Sequence, residues 1–183
     1  MPNSIENIGN YKGSKSVLEI YLKSVADLNK SYADGLSFCL AGLHGTAKTT
    51  CATNILKKAV HKNFTALYST LSDIVNTLVY ANSEDKYLSR KELTEVDFLV
   101  IDEMDGRFFS GETAADLFGR TLESILRTRL QNRLPIIIVS NSPNPIETFH
   151  GALKQSLESL MTKLPVIPII GVDIRKMQVS PIQ

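Results

Sequence analysis

Hydrophobic residues in this chain follow two alternating patterns. Short runs of nearly continuous apolar residues predict strands that are buried on both faces. Between these runs, apolar residues recur three and four positions apart, which predicts helices with one buried side. The predicted strands lie at 36–42, 65–71, 96–103, 134–141 and within 164–175, and the predicted helices at 15–30, 49–62, 73–81, 112–131 and 151–162. This alternation predicts an α/β fold with a parallel sheet covered on both faces.

The first predicted strand leads into a glycine-containing loop, GLHGTAKTT, at residues 42–50. The loop meets the phosphate-binding pattern G-x-x-x-x-G-K-[ST], except that Ala47 replaces the final glycine. In such loops backbone N–H groups surround a phosphate, while Lys48 would reach the β- and γ-phosphates and Thr49 would bind Mg²⁺. A glycine turn with an accidental lysine is the alternative. The predicted nucleotide contacts are Gly42, His44, Gly45, Thr46, Ala47, Lys48, Thr49 and Thr50.

The alanine in this loop bears on whether the loop is functional. A positive φ at Ala47 would cost about 1 kcal/mol, because the Cβ atom then approaches the backbone. Ala47 immediately precedes a predicted helix. We therefore expect ordinary helical dihedral angles there, and an alanine that the loop tolerates.

Two other predicted strands end in polar residues that suit ATP hydrolysis. VDFLVIDE ends in Asp102 and Glu103, about 50 residues after the loop. Asp102 would hold Mg²⁺, and Glu103 would polarise the attacking water as the general base. IIIVSNSP places Asn141 at the same edge of the sheet, where its amide would orient that water. The alternatives are a strand that simply ends in solvated acids and an asparagine that starts a turn.

Composition and charge narrow the class of protein. A chain of 183 residues with 43% hydrophobic content suits one compact domain. The net charge of +1 gives no global attraction to nucleic acid or membrane, so such contacts would be local. Cys39 and Cys51 occur without a CxxC motif or a secretory context, which predicts reduced, buried thiols in a cytoplasmic protein. No segment approaches the roughly 20 apolar residues of a membrane-spanning helix.

Together, the three motifs resemble those of AAA+ ATPases, with GLHGTAKTT as Walker A, VDFLVIDE as Walker B and LPIIIVSNSP as the sensor-1 strand. Residues 10–177 most resemble bacterial helicase loaders of the DnaC and DnaI type and the related IstB transposition ATPases. The resemblance implies a P-loop three-layer sandwich with a central parallel sheet and no helical lid. It implies a lead-in with an amphipathic helix (1–34), an AAA+ core (35–177) and a tail (178–183). It also matches Arg175 with the sensor-2 arginine, which contacts nucleotide.

The same resemblance implies ATP and Mg²⁺ as cofactors and a role in DNA replication. Helicase loaders deliver a hexameric replicative helicase of the DnaB type onto single-stranded DNA. The implied partners are therefore that helicase, single-stranded DNA, which would bind weakly, and further copies of the chain, which would associate through AAA+ interfaces. No membrane contact is expected. The alternatives are an IstB-like transposition ATPase, a nucleotide-gated adaptor with little or no hydrolysis, and a P-loop small-molecule kinase.

One departure from the loader pattern affects the expected turnover. The position of the arginine finger falls near Ser159, with Lys154 and Lys163 as neighbouring cations. Such an arginine contributes about 10³-fold or more to hydrolysis, so its loss would leave binding intact and weaken turnover. We therefore expect the isolated chain to be a weak ATPase. Three arginines could supply a substitute cation or could form ion pairs on the helix surface: Arg120, Arg127 and Arg129.

Two basic segments are candidates for contact with nucleic acid, because cations interleaved with aromatic rings can follow a phosphate backbone and stack on bases. The first is the segment 80–91, and the second is the helix after the loop. A solvated surface is the alternative for both. Their residues are Tyr80, Lys86, Tyr87, Arg90 and Lys91 in the first, and Lys57, Lys58, His61 and Lys62 in the second.

Overall fold

A computed structural model of the chain describes residues 13–106, 112–171 and 173, without the side chains of 112–117 and 152. Within this part of the chain, five parallel strands form one sheet in the order β2-β3-β4-β1-β5. The predicted α/β fold with a central parallel sheet is thereby confirmed. The strands are β1 (Ser37–Ala41), β2 (Ala66–Thr70), β3 (Phe98–Asp102), β4 (Ile136–Ser140) and β5 (Val166–Pro168).

Helices connect the parallel strands and cover both faces of the sheet. The helices are α1 (Lys15–Ala26), α2 (Leu28–Ala33), α3 (Lys48–His61), α4 (Leu71–Tyr80), α5 (Ser83–Glu95), α6 (Glu112–Gln131) and α7 (Gly151–Met161), with a 3-10 turn at Pro145–Thr148. Parallel strands need such crossovers, because the chain must return to the same end of the sheet before the next strand begins.

Two hydrophobic clusters lie on opposite faces of the sheet, because successive residues in a strand point to opposite sides. In β3, Val100 packs with α1, α2 and α3, whereas Leu99 and Ile101 pack with α4, α5, α6 and α7. Every residue of β3 and β4 is buried. The nearly continuous apolar runs in the sequence thus correspond to central strands covered on both sides.

The structure corrects one predicted helix and adds one that was not predicted. The segment 15–30, predicted as one helix, is interrupted at Asp27, which has extended backbone angles and separates α1 from α2. The Asp27 carboxylate accepts a hydrogen bond from the backbone N–H of Lys30 at 3.0 Å and so caps the second helix. The helix α5 was not predicted as a separate element. Its sequence is polar, and Leu93 is its buried residue, so its apolar periodicity is weak.

The carboxyl ends of the central strands lie at one edge of the sheet, where open α/β folds bind their ligands. The loop after β1, the acids at the end of β3 and Asn141 after β4 all lie there. In the described part of the chain, no helix is long and apolar enough to span a membrane. The described residues after β5, up to residue 171 and at 173, also contain no helix of a lid domain.

Candidate nucleotide-binding site

The loop between β1 and α3 is tightly packed against the segment that follows β5. A Cβ atom at Gly42 would collide with the carbonyl oxygen of Ile169. Gly45 has a φ of +76°, and a Cβ atom there would collide with the carboxylate of Asp173. Glycine is needed at both positions, because the backbone of another segment occupies the first space and Gly45 adopts left-handed angles.

Ala47 does not have the helical dihedral angles predicted from the sequence. It lies in the left-handed region at φ 66° and ψ 20°, immediately before α3. The Cβ atom makes this conformation cost an alanine roughly 1–2 kcal/mol. A glycine would release that strain, but it would lose about 0.5–1 kcal/mol to chain entropy. It would also lose the buried methyl group, worth about 0.8 kcal/mol. The strain released by a glycine and the two losses nearly cancel, so alanine and glycine should be about equally stable at this position. The loop therefore tolerates Ala47 as predicted, but in a left-handed conformation and not in a helical one.

Lys48, the first residue of α3, is nearly fully buried and folds back over the loop. Its Nζ donates hydrogen bonds to the carbonyl oxygens of Gly42 at 2.9 Å and Leu43 at 2.7 Å, and to Thr46 Oγ1 at 3.2 Å. The ammonium group is therefore held inside the loop, at the N-terminus of a 14-residue helix. Both the charge and the helix terminus favour an anion at this place.

Thr49 and Asp102 connect the loop to the end of β3. Thr49 Oγ1 donates a hydrogen bond of 2.8 Å to Asp102 Oδ2, across a sequence separation of 53 residues. The Asp102 carboxylate is buried, with 3% of its surface exposed. A hydroxyl and a carboxylate oxygen are the ligand types that Mg²⁺ uses together with phosphate oxygens. The sequence-predicted metal pair is therefore in direct contact.

Glu103 has a strained backbone conformation, and its side chain lies in a different environment from that of Asp102. Its φ of 54° is left-handed, which costs a residue with a side chain of this kind about 1–3 kcal/mol. Its backbone N–H donates to Asp102 Oδ1 at 2.7 Å, while its own side chain is exposed. The two adjacent acids thus differ: Asp102 is buried and accepts hydrogen bonds at both oxygens, whereas Glu103 is exposed to solvent.

A cavity of about 200 Å³ lies between the loop and the end of β4. Its size is below the roughly 300–1,000 Å³ of whole-ligand pockets, so it suits the phosphate part of a nucleotide. Asn141 reaches this cavity, whereas His44 and Gly42 do not line it. A larger groove of about 630 Å³ runs along α5, but none of the loop residues line it, so the smaller cavity is the candidate phosphate site. The lining residues are Gly45, Thr46, Ala47, Lys48, Thr49, Thr50 and Asn141.

The candidate arginines lie in different environments. Arg129 is completely buried and donates to backbone carbonyls, so it cannot reach a neighbouring subunit. Arg127 forms an exposed pair with Glu123 at 2.6 Å, which is the alternative that the sequence left open. Arg120 is exposed on α6, Ser159 is exposed on α7, and Arg175 lies outside the described residues.

One contact to the site was not predicted. Tyr68 of β2 donates a hydrogen bond from its hydroxyl to Asp102 Oδ2 at 2.9 Å. Partial burial, followed by the negative charge of Asp102, raises the pKa of Tyr68 to about 12. Neither a motif nor the strand pattern marks this tyrosine, because its contact depends on the register between β2 and β3.

The described residues fit a magnesium-nucleotide complex. Left-handed angles at Gly45 and Ala47, next to a helix N-terminus, produce the concave arrangement of N–H groups that binds anions. Thr49 and Asp102 offer oxygen ligands beside it. The described residues contain no group of three or more His, Cys, Asp or Glu side chains that are placed to hold a metal ion. Mg²⁺ would therefore depend on phosphate oxygens as well, which is its usual mode in nucleotide sites.

Comparison with known families agrees with this geometry. The family of IstB-like ATP-binding proteins matches residues 13–162. The chain belongs to this family. Among curated proteins, none matches the sequence significantly.

Three solved structures share the fold of this IstB-like protein. DnaI matches with a TM-score of 0.69 and 19% identity, over 93% of this chain and 89% of DnaI. The DnaC helicase loader matches with a TM-score of 0.65 and 17% identity, over 90% of this chain and 96% of DnaC. AMPPCP-bound DnaA from Aquifex aeolicus matches with a TM-score of 0.67 and 20% identity, over 91% of this chain. The chain spans about half of that DnaA chain, 50% of its length. The predicted resemblance to loaders and IstB proteins is confirmed.

Proposed function

We propose that this IstB-like protein is a magnesium-dependent ATP switch that acts in DNA replication, in the manner of a helicase loader. The observation that carries the proposal is the hydrogen bond between Thr49 and Asp102, which joins the phosphate loop to the acidic end of β3 beside the cavity. A structural loop would not need a buried carboxylate at that place. The match to DnaI and DnaC over most of their length supports the loader assignment at the level of the fold.

The proposed site residues divide the work of binding and hydrolysis. Lys48 would exchange its carbonyl partners in the loop for the β- and γ-phosphates. Thr49 and Asp102 would hold Mg²⁺, which would supply positive charge next to the phosphates. Glu103 accepts a proton from water as that water attacks the γ-phosphorus, and the bond to the bridging oxygen breaks, giving ADP and phosphate. Asn141, on the cavity wall, orients the water.

We expect slow turnover by the isolated protein. Ser159 is exposed on α7 at the proposed finger position, and the neighbouring Lys154 is paired with Glu147 at 2.8 Å. Arg129 is excluded as a substitute by its burial. Hydrolysis would then rise when a partner, such as a hexameric helicase or a second copy, supplies a cation to the γ-phosphate. A nucleotide-gated adaptor is the second candidate, and the uncharged Ser159 favours it.

The proposed partners are a replicative helicase and single-stranded DNA. Tyr80 and Tyr87 are exposed at the end of α4 and on α5, where they could stack on bases, and exposed cations Arg90 and Lys91 lie on the same helix. Pull-down from the native host, with ATP and with ADP, tests the assignment. Recovery of a hexameric helicase supports a loader, and recovery of a transposase instead supports the transposition ATPase.

Nucleotide titration tests the site itself. We expect Lys48→Ala to weaken MgATP binding by at least about 100-fold, because two charge-assisted hydrogen bonds to phosphate contribute roughly 1.5–3 kcal/mol each. Calorimetric titration measures the dissociation constant, and thermal unfolding checks that the variant folds. Lys62→Ala is the matched control, since Lys62 is exposed at the other end of α3. Equal affinity in Lys48→Ala and the wild type would rule out this site.

A further inference from the structure

Tyr68 contacts the end of β3 at the carboxylate proposed to hold Mg²⁺. Asp102 Oδ2 accepts one hydrogen bond from Thr49 Oγ1 at 2.8 Å and a second from the Tyr68 hydroxyl at 2.9 Å. The other oxygen, Oδ1, accepts the backbone N–H of Glu103 at 2.7 Å. Both oxygens of the Asp102 carboxylate therefore accept hydrogen bonds. Of the three donors, only Tyr68 lies outside the Walker A and Walker B motifs.

The register of the sheet brings this tyrosine to the site. Tyr68 is paired with Val100, and two residues later Thr70 is paired with Asp102. Because side chains two residues apart share a face, Tyr68, Val100 and Asp102 all lie on the side covered by α3. The phenol ring is long enough to extend along the strand from the level of Val100 to that of Asp102. No bend or bulge in β2 is required for this contact.

Burial does not explain why a tyrosine occupies this place. Tyr68 is 42% exposed, on the edge strand β2, and its ring lines an open groove of about 350 Å³ beside α3. A phenylalanine would pack equally well against this groove. The hydroxyl is the part of the side chain that reaches Asp102, which is 3% exposed. The contact therefore joins a half-exposed edge residue to the most buried acid of the site.

We propose that Tyr68 is a positioning residue for Mg²⁺, and this inference rests on the proposed function. Its hydroxyl fixes the rotation of the Asp102 carboxylate about the Cβ–Cγ bond, from the side opposite to the backbone N–H of Glu103. The Asp102 carboxylate would then keep its orientation even if the Thr49 hydroxyl left it to bind Mg²⁺. Hydrogen bonds of this kind to a metal-binding carboxylate typically contribute 10–100-fold to metal affinity or activity.

Tyr68→Phe, made in the full chain, removes the hydroxyl and keeps the ring. We expect the affinity for ATP in the presence of Mg²⁺ to fall about tenfold, while the affinity in EDTA stays within about twofold of the wild type. Calorimetric titration gives both values. Mn²⁺ titration followed by electron paramagnetic resonance, with ATP present, should show the same tenfold weakening of the metal. Neither measurement depends on turnover.

Tyr32→Phe is the matched control, because Tyr32 also hydrogen-bonds an aspartate, Asp97, which precedes β3 at the opposite end of the strand. It should leave both affinities unchanged. An equal loss with and without metal in Tyr68→Phe would show a structural role and overturn the proposal, as would no loss at all. If wild-type protein fails to bind ATP, the proposed function fails with it. If wild type binds in a metal-dependent way and Tyr68→Phe matches it, the tyrosine proposal fails alone.

Discussion

At the scale of single residues, neighbouring acids at the end of β3 are separated by backbone geometry. Asp102 continues the strand and is buried against the phosphate loop. Glu103 has a left-handed φ of 54°, and its side chain is exposed to solvent. Backbone strain of this kind often occurs at functional sites, where the surrounding structure holds the residue in place. In the proposed mechanism, this left-handed turn separates Glu103, the proposed general base, from Asp102, the proposed ligand of Mg²⁺.

Glu103→Gln tests the role of this side chain. The amide keeps the shape and the exposure but loses the basic oxygen, so ATP binding should stay within about threefold while hydrolysis falls at least about 100-fold. Titration measures the first, and phosphate release, with an activating partner present, measures the second. Glu19→Gln, on the exposed surface of α1, should change neither. Undiminished phosphate release by Glu103→Gln would show that Glu103 is only a solvated acid at the end of a strand.

At the scale of secondary-structure elements, a buried arginine connects the helices to the sheet. Arg129 of α6 donates to the carbonyl oxygens of Leu93 in α5 at 3.2 Å, Asp97 before β3 at 3.2 Å, and Pro135 before β4 at 2.8 Å. Burial lowers the pKa of Arg129 to about 10, which leaves it charged at neutral pH. The carbonyl of Pro135 also accepts the backbone N–H of Leu99 at 3.1 Å, so it is shared between the sheet and the guanidinium group. Arg129 thus joins the end of α5 to the segments that lead into β3 and β4, and it supplies a donor to buried backbone acceptors there.

Arg129→Met should lower the free energy of unfolding by about 3 kcal/mol, because buried carbonyl oxygens lose their charged donor. Arg127→Met is the matched control, since Arg127 lies on the same helix and forms an exposed ion pair with Glu123. That pair contributes less than about 0.5 kcal/mol. Urea unfolding followed by circular dichroism measures both variants. Similar losses in the two variants would contradict a special role for the buried arginine.

At the scale of the whole molecule, each face of the sheet has its own core and its own cysteine. Cys39 of β1 packs with the cluster under α4 to α7, and Cys51 of α3 packs with the cluster under α1 and α3. Both thiols are fully buried and unpaired by disulfide, as predicted from their sequence context. Burial raises the pKa of each thiol from 9.0 to about 12. The folded protein therefore keeps both protonated at a pH where the unfolded chain ionises them.

This difference predicts a loss of stability at alkaline pH. Each thiol contributes stability that is fully present below pH 9.0 and is lost as the pH rises toward about 12. The two together should lower the free energy of unfolding by about 2–3 kcal/mol between pH 8 and pH 10. Urea unfolding in reducing buffer measures this. A Cys39→Ala/Cys51→Ala double variant should lack that part of the decline. Parallel declines in both proteins would show that other groups cause it.

The sequence by itself determined the architecture and indicated most residues of the candidate nucleotide site. Apolar runs such as VDFLVIDE predict buried central strands, because a strand covered on both faces needs hydrophobic residues at every position. The loop at 42–50 is readable for a similar reason, since phosphate binding uses consecutive backbone groups and a lysine at a set spacing. The helix α5 was missed because its polar sequence leaves little periodicity to detect.

Only the tertiary structure decided the conformation of Ala47, the burial of Arg129 and the contact of Tyr68 with Asp102. Ala47 is left-handed because the loop must close tightly between β1 and α3, and no local pattern encodes that angle. Arg129 looks like any surface arginine until α5, β3 and β4 surround it. Tyr68 meets Asp102 through the register of two strands that are distant in sequence. A motif such as the phosphate loop can be recognised because its residues are close together in the sequence. These three features depend on how distant elements pack against each other, and no single stretch of sequence specifies that packing.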